Sequence, residues 1–306
     1  MPISPASSVA RCACIDVGSN TTRLLVAEAD GQRLRELVSE RAFTRLASAR
    51  DEHGEIGPHK VAEVASIVAR QMRIARELNV DAIRVIATAA LRDTMNAPAL
   101  AAAVHAACGA VLDVLTPEEE ARLAFAGAIG MLVDPPGDRL GVVDVGGGST
   151  ELVIGTVADG VIWSVSLPVG SSIVTEADLP SDPPSPAELA GLREKLAGVF
   201  AQVRAQAPRP AAAYAVGGSA TSLQRLIGVV LEREALSRGL QALVAGPAAE
   251  VAVRLELHAE RARLLPAGIL LLDAASRALR APLQMAGGGV REGVVFEQLA
   301  RSGRRP

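Results

Sequence analysis

Twice in this chain an apolar run ends in Asp-Val-Gly, crosses a short loop of small polar residues and enters a second apolar run. The first copy is Asp16-Val17-Gly18-Ser19-Asn20-Thr21-Thr22-Arg23; the second is Asp144-Val145-Gly146-Gly147-Gly148-Ser149-Thr150-Glu151. Each copy opens a meander of strands, with a turn at Gly31 in the first and a hairpin signal at Asp159-Gly160 in the second. Helices and strands then alternate. Val61, Val64, Ile67, Val68, Met72, Ala75 and Leu78 recur at three- and four-residue steps, which predicts an amphipathic helix feeding a strand over Ala82 to Ala87. After the second copy, a Pro-rich stretch from Pro180 to Pro186 precedes a helix running to about Val203, and Ala211 to Val216 reads as a strand ending in Gly217-Gly218-Ser219. The remainder is predicted to be mostly helical, with a glycine cluster at Gly287-Gly288-Gly289. The simplest fold is a duplicated α/β domain with a cleft between the halves. A chain of 306 residues suits two domains. The expected boundaries are 1–125 and 126–306, with the last helix, about 291–301, packing back on the first half.

Hydrophobic residues make up 49% of the chain and aromatics only 2%, so the core must be Ala, Val, Leu and Ile. That suits buried parallel strands covered by helices. A formal net charge of -3 gives no support to nucleic-acid or membrane-surface binding. Any anion site must therefore be local. The opening Met1 to Pro5 reads as a loose terminus and the arginines from Arg301 to Arg305 as a solvated tail. Neither a signal peptide nor an apolar run of membrane-spanning length is evident, so a cytoplasmic protein is expected. Cys12, Cys14 and Cys108 form no disulfide framework and read as buried thiols. His53, His59, His105 and His258 show no ligand spacing and read as structural or surface residues.

Small residues at a strand-to-strand bend let the backbone approach a ligand closely, with N–H groups pointing at an anion. An Asp at the strand end is placed to hold a divalent metal directly or through water. Two such loops facing each other would clamp a phosphate chain. Thr116 reads as an N-cap with Pro117 at the first helical position, and Glu118, Glu119 and Glu120 follow. An acidic first turn offsets the helix dipole, which does not single out one Glu. Glu151 directly follows the second loop. Arg23 and Arg92 follow runs of small residues at predicted strand ends, where open α/β sheets place ligand-binding arginines.

Six blocks, in order, resemble the exopolyphosphatase / guanosine pentaphosphate phosphohydrolase family. They are the first loop, Ala87 to Asn96, Glu119-Glu120-Ala121-Arg122-Leu123, the second loop, Ala215 to Thr221, and Val290-Arg291-Glu292-Gly293. The likeness runs from about residue 12 to 296. It implies the actin-like, ribonuclease H-like fold of the sugar-kinase (ASKHA) superfamily, in its short two-domain form. It implies Glu120 as catalytic base, Arg92 as a phosphate contact, and Glu151 beside the attacking water. Asp16, Asp144 and Glu151 would hold the metal, Mg²⁺ or Mn²⁺. Gly18, Ser19, Asn20, Thr21, Arg23, Gly146, Gly147, Gly148, Ser149, Thr150, Gly217, Gly218, Ser219 and Arg261 would bind phosphate. The implied substrate is inorganic polyphosphate or guanosine penta- or tetraphosphate, and a homodimer is compatible with the likeness. A superfamily kinase and a non-catalytic alarmone or polyphosphate sensor stay open as alternatives. Three places depart from the family pattern: Leu46-Ala47-Ser48-Ala49-Arg50, Ile173, and Arg263 in Arg261-Ala262-Arg263.

Overall fold

The computed structural model describes residues 9–30 and 33–301. The terminus Met1 to Pro5, the turn at Gly31 and the tail after Arg301 lie outside the described residues. The first half runs β1 (Arg11–Val17), β2 (Thr21–Asp30), β3 (Arg33–Phe43), α1 (Pro58–Glu77), β4 (Ala82–Ala87), α2 (Ala89–Arg92), α3 (Ala97–Cys108), β5 (Leu112–Val114) and α4 (Pro117–Gly130). The second runs β6 (Leu140–Val145), β7 (Thr150–Thr156), β8 (Gly160–Leu167), α5 (Ser171–Asp178), α6 (Pro186–Val199), α7 (Ala201–Gln206), β9 (Ala212–Val216), α8 (Gly217–Ile227), β10 (Val230–Leu231), α9 (Arg233–Leu243), α10 (Ala248–Arg254), α11 (Ala259–Leu279), β11 (Leu283–Met285) and α12 (Val290–Arg301).

The two sheets repeat one plan. Their strand orders are β3-β2-β1-β4-β5 and β10-β11-β9-β6-β7-β8. In each, the first strand pairs antiparallel with the second and parallel with the fourth, β1 with β2 and β4, β6 with β7 and β9. The duplication reaches single hydrogen bonds. Gly18 N–H donates to Thr21 O at 3.0 Å, and Gly146 N–H donates to Ser149 O at 3.0 Å. Even the bulges match, between Val26 and Ala27 and between Ile154 and Gly155, at the same offset from the strand-end Asp. This is a duplicated α/β fold of the actin-like class.

Helix α4 is the spine. Thr116 caps it, its side chain accepting from Glu119 N–H at 3.2 Å. One face, Ala121, Phe125, Ala128 and Ile129, packs on Leu140, Val142, Val153 and Val216 of the second sheet. The other, Leu123 and Ala124, joins Val290, Val294, Val295 and Leu299 of α12 against Cys12, Cys14, Leu25, Ala27 and Ile86 of the first. A β-carbon on Gly127 would overlap the carbonyl of Gly289, and one on Gly293 would overlap that of Leu123. The two helices therefore cross with their backbones in contact, which only glycine permits.

Strands β10 and β11 had no sequence signal, since two or three residues cannot show a period. The helix expected to run to about Val203 breaks at Phe200 into α6 and α7. Cys12 and Cys14 are fully buried, and burial pushes the Cys12 thiol up to about 11, the reverse of a reactive cysteine. No described helix is long and apolar enough to cross a membrane.

Candidate active site

The two glycine loops meet. A β-carbon on Gly148 would stand 2.5 Å from Ser19 Oγ, and one on Gly147 would stand 3.1 Å from Ser19 Cβ. Each loop is braced from behind by the segment after its third strand. Thr44, Arg45 and Ala47 N–H donate to Asn20 and Ser19 carbonyls; Ser171, Ser172 and Ile173 N–H donate to Gly146 and Gly147 carbonyls. The departure segments at Leu46–Arg50 and Ile173 thus hold the loops through their backbone. Gly170 is fixed by this contact, because a β-carbon there would meet Gly147. Around the loops lies a cavity of about 370 Å³. Among the predicted residues it is lined by Asp16, Gly18, Ser19, Asn20, Thr21, Arg23, Glu120, Asp144, Gly146, Gly147, Gly148, Ser149, Glu151, Gly217, Gly218 and Arg261.

Strand register decides the charges that face it. In the first sheet Asp16 stands opposite Arg23, and Arg23 opposite Arg41. In the second, Asp144 stands opposite Glu151, and Glu151 opposite Ser166. Residues paired across a sheet share a face. One row therefore turns cationic beyond its Asp, while the other stays anionic. Helices α11 and α12 add Arg261 and Arg291 to the cationic side. Arg23 is pushed down to about 9 by burial and by the Arg291 and Arg41 charges, and Arg261 to about 10 by burial and Arg41. Arg23 and Arg261 remain charged at neutral pH. Buried like charges cost free energy unless a counter-ion joins them. Arg23 Nε, Arg261 Nε and Asn20 Nδ2 are buried without a protein partner, so donors for an anion are waiting.

The carboxylates that line the cavity include Asp16, Glu120, Asp144 and Glu151, with Glu292 paired to Arg291 at 3.5 Å. Glu120 and Glu151 are 6% and 2% exposed, too buried to be dipole-offsetting surface charges. Burial first, and the Glu151 charge second, push Glu120 well above the carboxylate range; Arg92 pulls it back. Arg92 Nη1 donates to Glu120 Oε2 at 2.6 Å and to Leu115 O at 2.9 Å. Glu151 is also raised by burial, offset by Ser149 and by Ser166, whose hydroxyl donates to Oε1 at 2.8 Å. Burial and the Glu151 and Asp16 charges push Asp144 up to about 7.

Two predicted phosphate ligands are placed elsewhere. Thr150 is fully buried and its hydroxyl donates to Val169 O at 2.6 Å. It opens β7, so it must point away from the face that its neighbour Glu151 occupies. Ser219 packs against Gly268 of α11. Thr221, one turn beyond Gly217 on the same helix face, lines the cavity instead. Arg92 lines a second cavity behind the loops rather than the first. Arg263 turns away and donates to Leu179 O. Thr221, Arg291, Glu292 and the Gly287–Gly289 run line the cavity without having been singled out as site residues, and Arg41 joins its cationic row. Arg291 and Glu292 belong to the Val290-Arg291-Glu292-Gly293 block, which is the sequence signal that marks them. His258 stacks on Phe43 with ring centroids 4.3 Å apart, and Arg45 pairs with Glu260, joining the halves beside the cleft.

No three His, Cys, Asp or Glu side chains among the described residues form a closed metal cluster. Asp16, Asp144 and Glu151 are therefore not a ready-made three-carboxylate cage. Mg²⁺ is ordinarily held by one or two carboxylates with waters and substrate phosphates. Asp16 Oδ1, buried without a hydrogen-bond partner, fits that role.

The sequence model of the Ppx/GppA phosphatase family matches residues 25–302. The chain belongs to this family. Exopolyphosphatase 1 of Mycobacterium tuberculosis is 32% identical, the match covering 94% of this chain and 88% of that one. Exopolyphosphatase 2 of the same organism is 30% identical over 89% and 92%. The Aquifex aeolicus Ppx/GppA family member superposes with a TM-score of 0.81 at 26% identity, covering 96% and 99%. An exopolyphosphatase of Cytophaga hutchinsonii, TM-score 0.85 at 20% identity over 95% and 98%, shares the fold.

For this Ppx/GppA chain the buried carboxylates carry a stability consequence. The carboxyl of Asp144 rises from its ordinary 3.8 to about 7 in the folded protein. Between those values the folded state keeps a proton that the unfolded chain has released, so stability falls as pH rises. Asp144→Asn removes that dependence. In metal-free buffer its melting temperature should exceed the parent's by an amount that grows from pH 4 to pH 7 and then levels. A gain independent of pH would mean that the Asp144 charge is not penalised by folding.

Proposed function

We propose that this protein is an exopolyphosphatase that releases terminal orthophosphate from inorganic polyphosphate. The observation that carries the reading is the charge gathered in one cleft around two glycine loops: Arg23, Arg261 and Arg291 line it together with Asp16, Glu120, Asp144 and Glu151, and Glu292 pairs with Arg291 at 3.5 Å. The loop N–H groups hold the terminal phosphoryl group and the arginines hold the phosphates behind it. Glu120 takes a proton from the attacking water, and Arg92 fixes its orientation at 2.6 Å. Bound Mg²⁺ or Mn²⁺, held by Asp16 and Asp144 beside Glu151, would neutralise charge developing on the phosphoryl oxygens.

A guanosine pentaphosphate would present the same terminal phosphates. Among the described residues, however, no aromatic side chain lines the cavity to stack a base. Long polyphosphate, tripolyphosphate and guanosine pentaphosphate should be compared in parallel for phosphate release with Mg²⁺. Long polyphosphate should give the highest kcat/KM. Preference for guanosine pentaphosphate would replace the substrate assignment, and tight binding of guanosine tetraphosphate without release from any substrate would make the protein a sensor.

A further inference from the structure

A second cavity, of about 440 Å³, lies behind the first, and the two share Ala89, Gly148 and Ser149 as a common wall. Glu120 faces the first cavity, whereas its ion-pair partner Arg92 faces the second. The proposed reaction centre thus sits at the junction of two spaces, divided by some of the smallest side chains available. From the exopolyphosphatase reading, on which this inference rests, follows a problem of traffic. The polyanion is held by the cations of the first cavity. Once the terminal P–O bond is cleaved by water, the new orthophosphate lies ahead of the shortened chain, against that wall. The first cavity is still filled behind it.

We propose that the second cavity is the exit for orthophosphate, letting the product leave while the shortened chain stays bound. Its lining suits a hand-off. Both side-chain hydrogen bonds that Arg92 makes among the described residues use Nη1, so the rest of its guanidinium fork can draw an anion through. Ser164 adds a hydroxyl donor, while the Ser166 hydroxyl is already given to Glu151. Asp93 and Glu118, on the same lining, repel a phosphate that lingers. One cation against two carboxylates passes an anion on, in contrast to the arginine-rich first cavity. A chain that keeps its place while product leaves the other way advances without dissociating, so hydrolysis is processive.

Ser164→Trp fills this cavity from strand β8, where an aromatic residue suits the backbone. Pro168→Trp fills it from the exposed end of the same lining and decides the matter if the first variant does not fold. Cleavage is read by acid quench of end-labelled polyphosphate, and free orthophosphate by a fluorescent phosphate-binding reporter in the same reaction. In the parent, the two signals should coincide and long chains should vanish without intermediates. In the variants, free phosphate should lag cleavage about tenfold, and intermediate lengths should accumulate. Cleavage with prompt release and unchanged length distribution in a folded variant overturns the exit. A parent that cleaves no polyphosphate overturns the underlying reading instead, and the exit with it.

Discussion

Glu120→Gln should lower kcat for phosphate release by about 10²–10⁴-fold, the contribution of a positioned general base, and leave KM nearly unchanged. The amide keeps the shape of the carboxyl and can still accept from Arg92, whose Nη1 lies 2.6 Å from Glu120 Oε2. Only the ability to take a proton is removed. The parent's pH profile should carry the same signature. Burial and the Glu151 charge raise Glu120, so the deprotonated base becomes available only as pH climbs through that raised value. The acid limb of kcat/KM should therefore lie well above the ordinary carboxylate value of about 4.3. Because Glu120 and Glu151 interact, the limb reports the pair. Steady-state kinetics on both proteins checks this; near-full activity in Glu120→Gln would remove Glu120 from the role of base.

Gly127→Ala should destabilise the protein by about 3 kcal/mol, the upper part of the range for overpacking. The added carbon meets backbone, the carbonyl of Gly289 and the N–H of Gly293, which no rotamer change can relieve. Helix α12 would have to move away from α4, taking with it Gly288 and Gly289, which line the cavity. Glu120 stands two turns before Gly127 on that face, so activity should fall along with stability. Gly191→Ala is the opposite case. It is exposed in helix α6 with nothing within 4 Å of a new β-carbon. That change should stabilise by about 0.5–1 kcal/mol through reduced unfolded-state entropy. Urea denaturation followed by circular dichroism separates the two signs; equal effects would refute the backbone-contact account of the α4–α12 crossing.

Much of the machinery is local and therefore readable along the chain. The two loops are continuous stretches whose turn, Gly N–H to a carbonyl three residues on, is set by small residues alone. The cap at Thr116 is likewise local. Strand period turns Thr150 away from the face that Glu151 occupies, and helical spacing puts Thr221 rather than Ser219 on the face of Gly217. Arg41 is different. Its place beside Arg23 depends on the β2–β3 register, which a bulge between Val26 and Ala27 shifts. The short strand β11 and the turn of α12 that carries Arg291 depend on packing against distant elements.

The sequence by itself determined the duplication, the paired phosphate-sized loops and the candidate base, because each is written in residues adjacent along the chain. Only the tertiary structure decided that arginines and carboxylates from both halves meet in one cleft, that Glu120 lines this cleft while its partner Arg92 lines a second cavity, and that the two cavities share a wall. Those features join residues as far apart as Asp16, Glu120, Asp144, Arg261 and Arg291. Their charges acquire meaning only when strand register and helix packing bring them together and burial strips away the water that would otherwise screen them.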